Sequence, residues 1–252
     1  MRTLGVDLAA ATKKTGVAVL EWAGGEIVRL DHLALDVSDE EIVRLFANSS
    51  LMGVDCPVGW PAAFLPFLAG HLNFDAHPVL DHDGIAGRRL LAYRDTDRFV
   101  TAQTGLIPLS VSADRLAHPA MRCAVLQAKI ARDFGPQSRD GSGRLAEVYP
   151  AASLKLWGLL ARGYKGRRAT ETDRLALLLD GLTTAAPWLD LSGYADQLAA
   201  SDDLFDALIA SLTARSVALG RTLRPDDSQA RIARTEGWIH LPAGGLSELN
   251  GP

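Results

Sequence analysis

Apolar residues in the first third of the chain fall in short runs rather than in helical stripes. Residues 3–8 form one run that meets an acid at Asp7, and residues 15–22 and 26–33 are β-rich runs on either side of Gly24-Gly25, a two-residue hairpin signal. Three consecutive antiparallel strands are the simplest arrangement of these runs. The period then changes. Ser38, followed three residues later by Glu41, is a capping box, and Ile42, Val43, Leu45 and Phe46 supply the apolar side of the helix it opens. Residues 50–55 are a further short strand, again ending in an acid, Asp55. A strand reached through a helix is expected to run parallel to its predecessor in the sheet, so the pattern predicts a mixed sheet.

From residue 57 to 143 the pattern turns irregular, with His, Asp, Pro and Gly scattered between positions 70 and 87. Helical stretches at 61–69 and 113–134 are embedded in it, and the whole reads as a long, mostly helical insertion or cap within one domain spanning 1–252. Residues 137–143 are a polar loop, and 144–149 are another strand candidate, closed by Pro150. Beyond it the pattern predicts helices at 151–160, 170–182, 187–198 and 201–219, with one brief extended segment at 237–241.

Composition narrows the class of protein. The chain has 252 residues, of which 48% are hydrophobic and 22% charged, and its mean hydropathy is +0.07, as in an ordinary globular domain. The net charge of -4 supplies no global positive field for nucleic acid, so contact with a polyanion has to be local or metal-assisted. Cys56 and Cys123 are too few for a disulfide framework and read as core residues of a protein in reducing cytosol. Asp7, Lys13 and Lys14 interrupt what would have to be the apolar core of a signal peptide, and no window approaches the roughly 18 apolar residues of a membrane span. The expectation is a cytoplasmic protein without a membrane partner.

The acids are the candidate chemistry. Asp7 alone reads as a turn-initiating Asp. Asp55 also ends a strand of the proposed sheet, and neighbouring parallel strands would bring both carboxylates to the edge where open α/β sheets bind ligands. Two such acids repel unless a proton or cation separates them, and hard oxygen donors suit Mg²⁺ or Mn²⁺. Ser201, Asp202 and Asp203 fit an N-cap and an acidic first turn, whereas Asp206, three residues from Asp203 on the same helix face, is poorly explained by capping. Glu147 lies in the strand candidate at 144–149, with a solvated strand face as its alternative. His77, Asp81, His82 and Asp83 suggest a metal site but lack any defined ligand spacing.

The strings GVDLAAATKKTGVAV, GVDCPVGWP, YRDTDRF, EVYPAAS, SDDLFDALIASLTAR and EGWIHLP occur in this order and run from Asp7 to Leu241. Together they resemble the domain-of-unknown-function 429 family of predicted nucleases. The resemblance implies a ribonuclease H-like α/β fold: a mixed five-stranded sheet with an antiparallel second strand and helices on both sides. It also implies that Asp7 and Asp55 match strand acids of that superfamily, that Asp203 and Asp206 look like the paired helix acids of RuvC-type Holliday junction resolvases, and that Glu147 matches an acid particular to the family. Such a cluster would bind two Mg²⁺ or Mn²⁺ ions and hydrolyse a phosphodiester, in nucleic acid or a small molecule. The insertion would then supply a cationic rim from Arg88, Arg89, Arg94 and Arg98, with Arg94 as the phosphate anchor. An alternative from another reaction class is an ATP-binding phosphotransferase or ATPase of the actin-like superfamily, with Thr12, Lys13 and Thr15 around a nucleotide phosphate. A non-catalytic binding protein on the same fold is the third reading.

Overall fold

The computed structural model describes residues 1–22, 27–112, 114–166 and 169–251, so the Gly24-Gly25 turn lies outside the described residues. The three apolar runs form β1 (Arg2–Asp7), β2 (Gly16–Glu21) and β3 (Val28–Leu35), and each pairs antiparallel with the next. The Ser38 hydroxyl accepts a bond from the Glu41 amide at 3.2 Å and opens α1 (Asp39–Ala47). That helix crosses over to β4 (Leu51–Asp55), which pairs parallel with β1.

Between β4 and the next strand the chain runs through α2 (Phe64–Leu72), α3 (Ala76–Leu80), α4 (Gly84–Ala92), α5 (Asp95–Thr104) and α6 (Asp114–Phe134). The sequence pattern predicts only two helical stretches here, at 61–69 and 113–134. The short helices α3 and α4 begin at Asp75 and Asp83, whose side chains cap them, so they are set by local capping rather than by an apolar period.

The chain then forms β5 (Leu145–Val148), α7 (Pro150–Leu156), α8 (Ala169–Ala185), β6 (Leu189–Asp190), α9 (Ala195–Ala200), α10 (Asp202–Ala218), α11 (Asp227–Glu236) and β7 (Ile239–His240). The helix expected at 187–198 is instead the two-residue strand β6 followed by α9. Leu189 and Asp190 owe their strand geometry to pairing with Val28 and Arg29 on β3, a partner no local pattern discloses.

One seven-stranded sheet results, in the order β6-β3-β2-β1-β4-β5-β7, with β2 the one antiparallel strand among the described residues. Helices cover both faces. Ile42 and Phe46 of α1 and Cys123, Leu126 and Ile130 of α6 pack on Leu4, Val6, Met52 and Val54 on one side. Phe205 and Leu208 of α10, with leucines of α7, α8 and α9, fill the other. Among the described residues no helix is long and apolar enough to cross a membrane.

The seating of α10 depends on three glycines. A Cβ on Gly16 would stand 2.6 Å from the Asp203 carbonyl oxygen and one on Gly53 2.5 Å from that of Ala210, and one on Gly5 would collide with the Ala207 carbonyl. The helix backbone therefore lies directly on β1, β2 and β4, which brings its first turns to the carboxyl ends of those strands.

Candidate active site

Asp7 and Asp55 are the last residues of β1 and β4 and face each other in register across that parallel pair. Side chains alternate along a strand, so each shares the face of the glycine two residues before it. Those glycines, Gly5 and Gly53, face the α10 backbone, and both carboxylates therefore project to the α10 side. Asp203 sits beside Gly16, the register partner of Asp7, and Asp206 follows one turn later, buried at 1% exposure. Acids that are far apart in the chain thus converge on one corner of the sheet.

The Asp206 carboxylate is held on both oxygens. The Tyr164 hydroxyl donates to Oδ1 at 2.8 Å, and the Lys165 ammonium forms an ion pair with Oδ2. Asp203 is held more loosely by Lys14, 3.5 Å from Oδ2. The Asp7 and Asp55 carboxylates accept no hydrogen bond among the described residues, and both line the floor of a cleft of about 460 Å³ together with Lys165.

The electrostatics reflect this crowding. Burial, then the Asp206 and Asp55 charges, push the Asp7 carboxyl well above the usual carboxylate range. Burial likewise pushes Asp55 up to about 7, with Lys165 opposing and Asp206 and Glu147 adding to it. Asp206 is raised by burial against the pull of Lys165, and Asp203 by burial and by Asp202. Burial disfavours the Lys165 ammonium, yet Asp206, Asp55 and Asp7 outweigh it and keep the group charged. Their mutual influence is the physical sign of a shared site.

Arg94 lines the same cleft as Asp7 and Asp55, but its guanidinium is spent inside the protein rather than left for a phosphate. It is 1% exposed. Its Nε and Nη2 donate to Asp97 at 3.2 and 2.8 Å, Nη1 and Nη2 donate to Glu147 at 2.7 Å each, and Nη1 also donates to the Glu236 carbonyl at 3.1 Å. All five N–H donors of the guanidinium are spent, so none is left for a substrate oxygen. Glu147 is committed in turn, because its Oε2 also accepts the Val58 amide at 3.1 Å. The Arg94, Asp97 and Glu147 group is a buried knot that fixes α5 to β5 beside the acids. Arg98 is bound to Asp95 at 2.7 Å on the exposed side of the same helix.

A model of the family described as "Protein of unknown function (DUF429)" matches residues 5–230. The chain belongs to this family. No curated protein and no solved structure matches it. The segment matched to DUF429 contains every acid of the cluster and also Tyr164 and Lys165.

Elsewhere in this DUF429 chain, Thr12 and Lys13 lie exposed in a single 3-10 turn (Thr12–Lys14) after Asp7. Thr15 is buried, its hydroxyl donating to the Ala11 carbonyl at 3.2 Å and accepting from Arg122 at 2.5 Å, so it does not face a ligand. His77 pairs with Asp81 at 3.4 Å on the surface, His82 turns to the Gly87 carbonyl, and Asp83 caps α4. Cys56 and Cys123 are buried free thiols on the α6 side of the sheet.

Among the described residues no group of three or more His, Cys, Asp or Glu side chains is arranged to hold a metal ion. The donor chemistry at the cleft floor nevertheless suits a hard cation, because the Asp7 and Asp55 oxygens are unspent and adjacent. One or two carboxylates plus waters and substrate phosphates are a common Mg²⁺ set. The residues that sequence reasoning missed are Tyr164 and Lys165. Their signal was present in the short string Arg162-Gly163-Tyr164-Lys165-Gly166, where two glycines with φ of 74° and 127° bracket an aromatic and a cation in a loop before a helix.

Proposed function

We propose that this protein is a metal-dependent phosphodiester hydrolase whose centre is Asp7, Asp55 and Asp206, with Asp203 at its margin. The observation that carries the reading is the convergence at one corner of the sheet of two strand-end acids that line one cleft and a buried helix acid tied to that cleft through Tyr164 and Lys165. The central strand order β3-β2-β1-β4-β5, with β2 alone reversed, supports reading the sheet as ribonuclease H-like. Fold by itself does not establish an activity, so the weight rests on the acids.

In this reading Asp7 and Asp55 hold Mg²⁺ or Mn²⁺, and the resemblance noted above implies two ions. A bound ion would activate water and stabilise charge on the phosphodiester. Tyr164 and Lys165 fix the Asp206 carboxylate, and the Lys165 ammonium at the cleft wall offers a positive charge to an entering phosphate. Thr12 and Lys13, exposed in the turn that follows Asp7 in the chain, are the substrate contacts of the adjoining edge. Arg94 and Glu147 act through position, holding β5 and α5 in place. A cleft of about 460 Å³ suits a nucleotide-sized phosphodiester or a single-stranded end.

The test is a Mg²⁺- and Mn²⁺-dependent cleavage screen over single-stranded, duplex, hybrid and junction nucleic acids and a small bis-ester phosphate, with Asp7→Asn alongside. The expected result is metal-dependent cleavage of at least one substrate, reduced by about 100-fold or more in the variant, as when a principal electrostatic group is removed from a catalytic centre. Equal activity in the two proteins, or none in either, would overturn the reading.

A further inference from the structure

Not every acid of the cluster has an oxygen to offer a ligand. Both Asp206 oxygens are occupied, one by Tyr164 at 2.8 Å and one by the Lys165 ammonium. Asp203 leans toward Lys14. Only Asp7 and Asp55 present carboxylates that accept no hydrogen bond among the described residues. Two carboxylates are enough for one divalent ion that keeps several waters, but two ions about 3.5–4 Å apart need bridging and flanking ligands that Asp206 would have to supply.

Lys165 is not there by chance of a long, free side chain. It stands in the connection between α7 and α8, bracketed by Gly163 and Gly166 in left-handed backbone conformations that favour glycine. The Gly166 amide donates to the Asp202 carboxylate at 3.2 Å, which pins the loop to the first turn of α10. Tyr164, the residue before, is buried at 1% exposure against Phe205 of that helix. The loop is thus fastened on both sides of Lys165, and the ammonium is delivered to the acids from the cleft wall.

We propose that Lys165 is a positioning residue that acts as a tethered second cation, so that the centre takes one divalent ion, held by Asp7 and Asp55, in place of two. This rests on the hydrolase reading above and changes its ion count. Lys165 holds Asp206 in a salt bridge and supplies a fixed positive charge where a second ion would otherwise need Asp206 as ligand.

The experiment is a Mn²⁺ titration of the full chain by calorimetry, with electron paramagnetic resonance of the loaded protein, on wild type, Lys165→Met, Lys165→Arg and Asp7→Asn. The expected results are one ion per chain and an uncoupled Mn²⁺ signal in wild type and in Lys165→Arg, and a loss of binding of tenfold or more in Asp7→Asn. Lys165→Met, having lost the competing charge, should take up a second ion with a spin-coupled signal, or bind the first at least about tenfold more tightly. Two ions in wild type would overturn the tethered-cation proposal and leave the hydrolase reading standing. An unchanged count and affinity in Lys165→Met would do the same. Absence of Mn²⁺ binding in every protein would remove both. Should Lys165→Met fail to fold, the counts in wild type and in Lys165→Arg still decide, since a second ion in either contradicts the proposal.

Discussion

Arg94 shows how much a single side chain can mislead when read without its neighbours. As an Arg in a charged string it promises a phosphate fork, yet at 1% exposure it serves Asp97, Glu147 and the Glu236 carbonyl. Burial works against its charge, and Glu147 and Asp97 more than offset that, holding the guanidinium protonated. Removing it would leave two buried carboxylates without their counter-charge, the costly way to break a buried ion pair. Arg94→Met should therefore destabilise the protein by about 3–5 kcal/mol, measured by urea unfolding. A change under about 1 kcal/mol would show that the knot is not structural.

At the scale of elements, the site exists because a helix can touch a sheet backbone to backbone. Gly53 illustrates this, since any side chain there would meet the Ala210 carbonyl at 2.5 Å and the Ala214 methyl at 3.3 Å. The obstacle is rigid helix backbone rather than a movable side chain. Gly53→Ala should push α10 outward, cost about 2–3 kcal/mol of overpacking and lower Tm by roughly 5–10 °C. Because α10 carries Asp206, any activity should fall further than stability alone accounts for, by about tenfold or more in kcat at a temperature where the variant is still folded. A scanning calorimetry trace matching wild type would mean that α10 is seated with slack.

The whole molecule answers to pH through the same acids. Asp55 has an ordinary carboxyl pKa of 3.8 when unfolded and about 7 when folded, with burial the largest cause, and Asp7 is raised as well. The folded state therefore binds more protons than the unfolded chain between about pH 4 and 7, and this contribution to stability falls as pH rises through that window. Metal-free protein should lose stability as pH rises from about 4 to 7. Asp55→Asn should flatten the loss and be more stable than wild type at pH 8 by roughly 1–3 kcal/mol, a range discounted because the carboxylate borders cleft water. Chemical unfolding at several pH values in the presence of a chelator checks it, and a variant whose pH profile parallels wild type would contradict the assigned cause.

Much of this architecture is local and could be read along the chain. Short apolar, β-rich runs, the capping box at Ser38 and a crossover helix are enough to predict β1, β2, β3, α1 and β4 and their directions, because chain geometry limits how such elements connect. The placement of Asp7 and Asp55 at strand ends follows from the same runs. What the chain alone left open are features set by partners distant in sequence. Leu189 and Asp190 are a strand only beside β3. Arg94 became structural through Glu147, 53 residues away. Lys165 entered the acid cluster through Asp206, 41 residues on. A side chain's charge and donors are properties of the sequence, whereas whether they are spent inside the protein or left for a ligand depends on what folding brings within hydrogen-bond distance, and only the tertiary structure decides that.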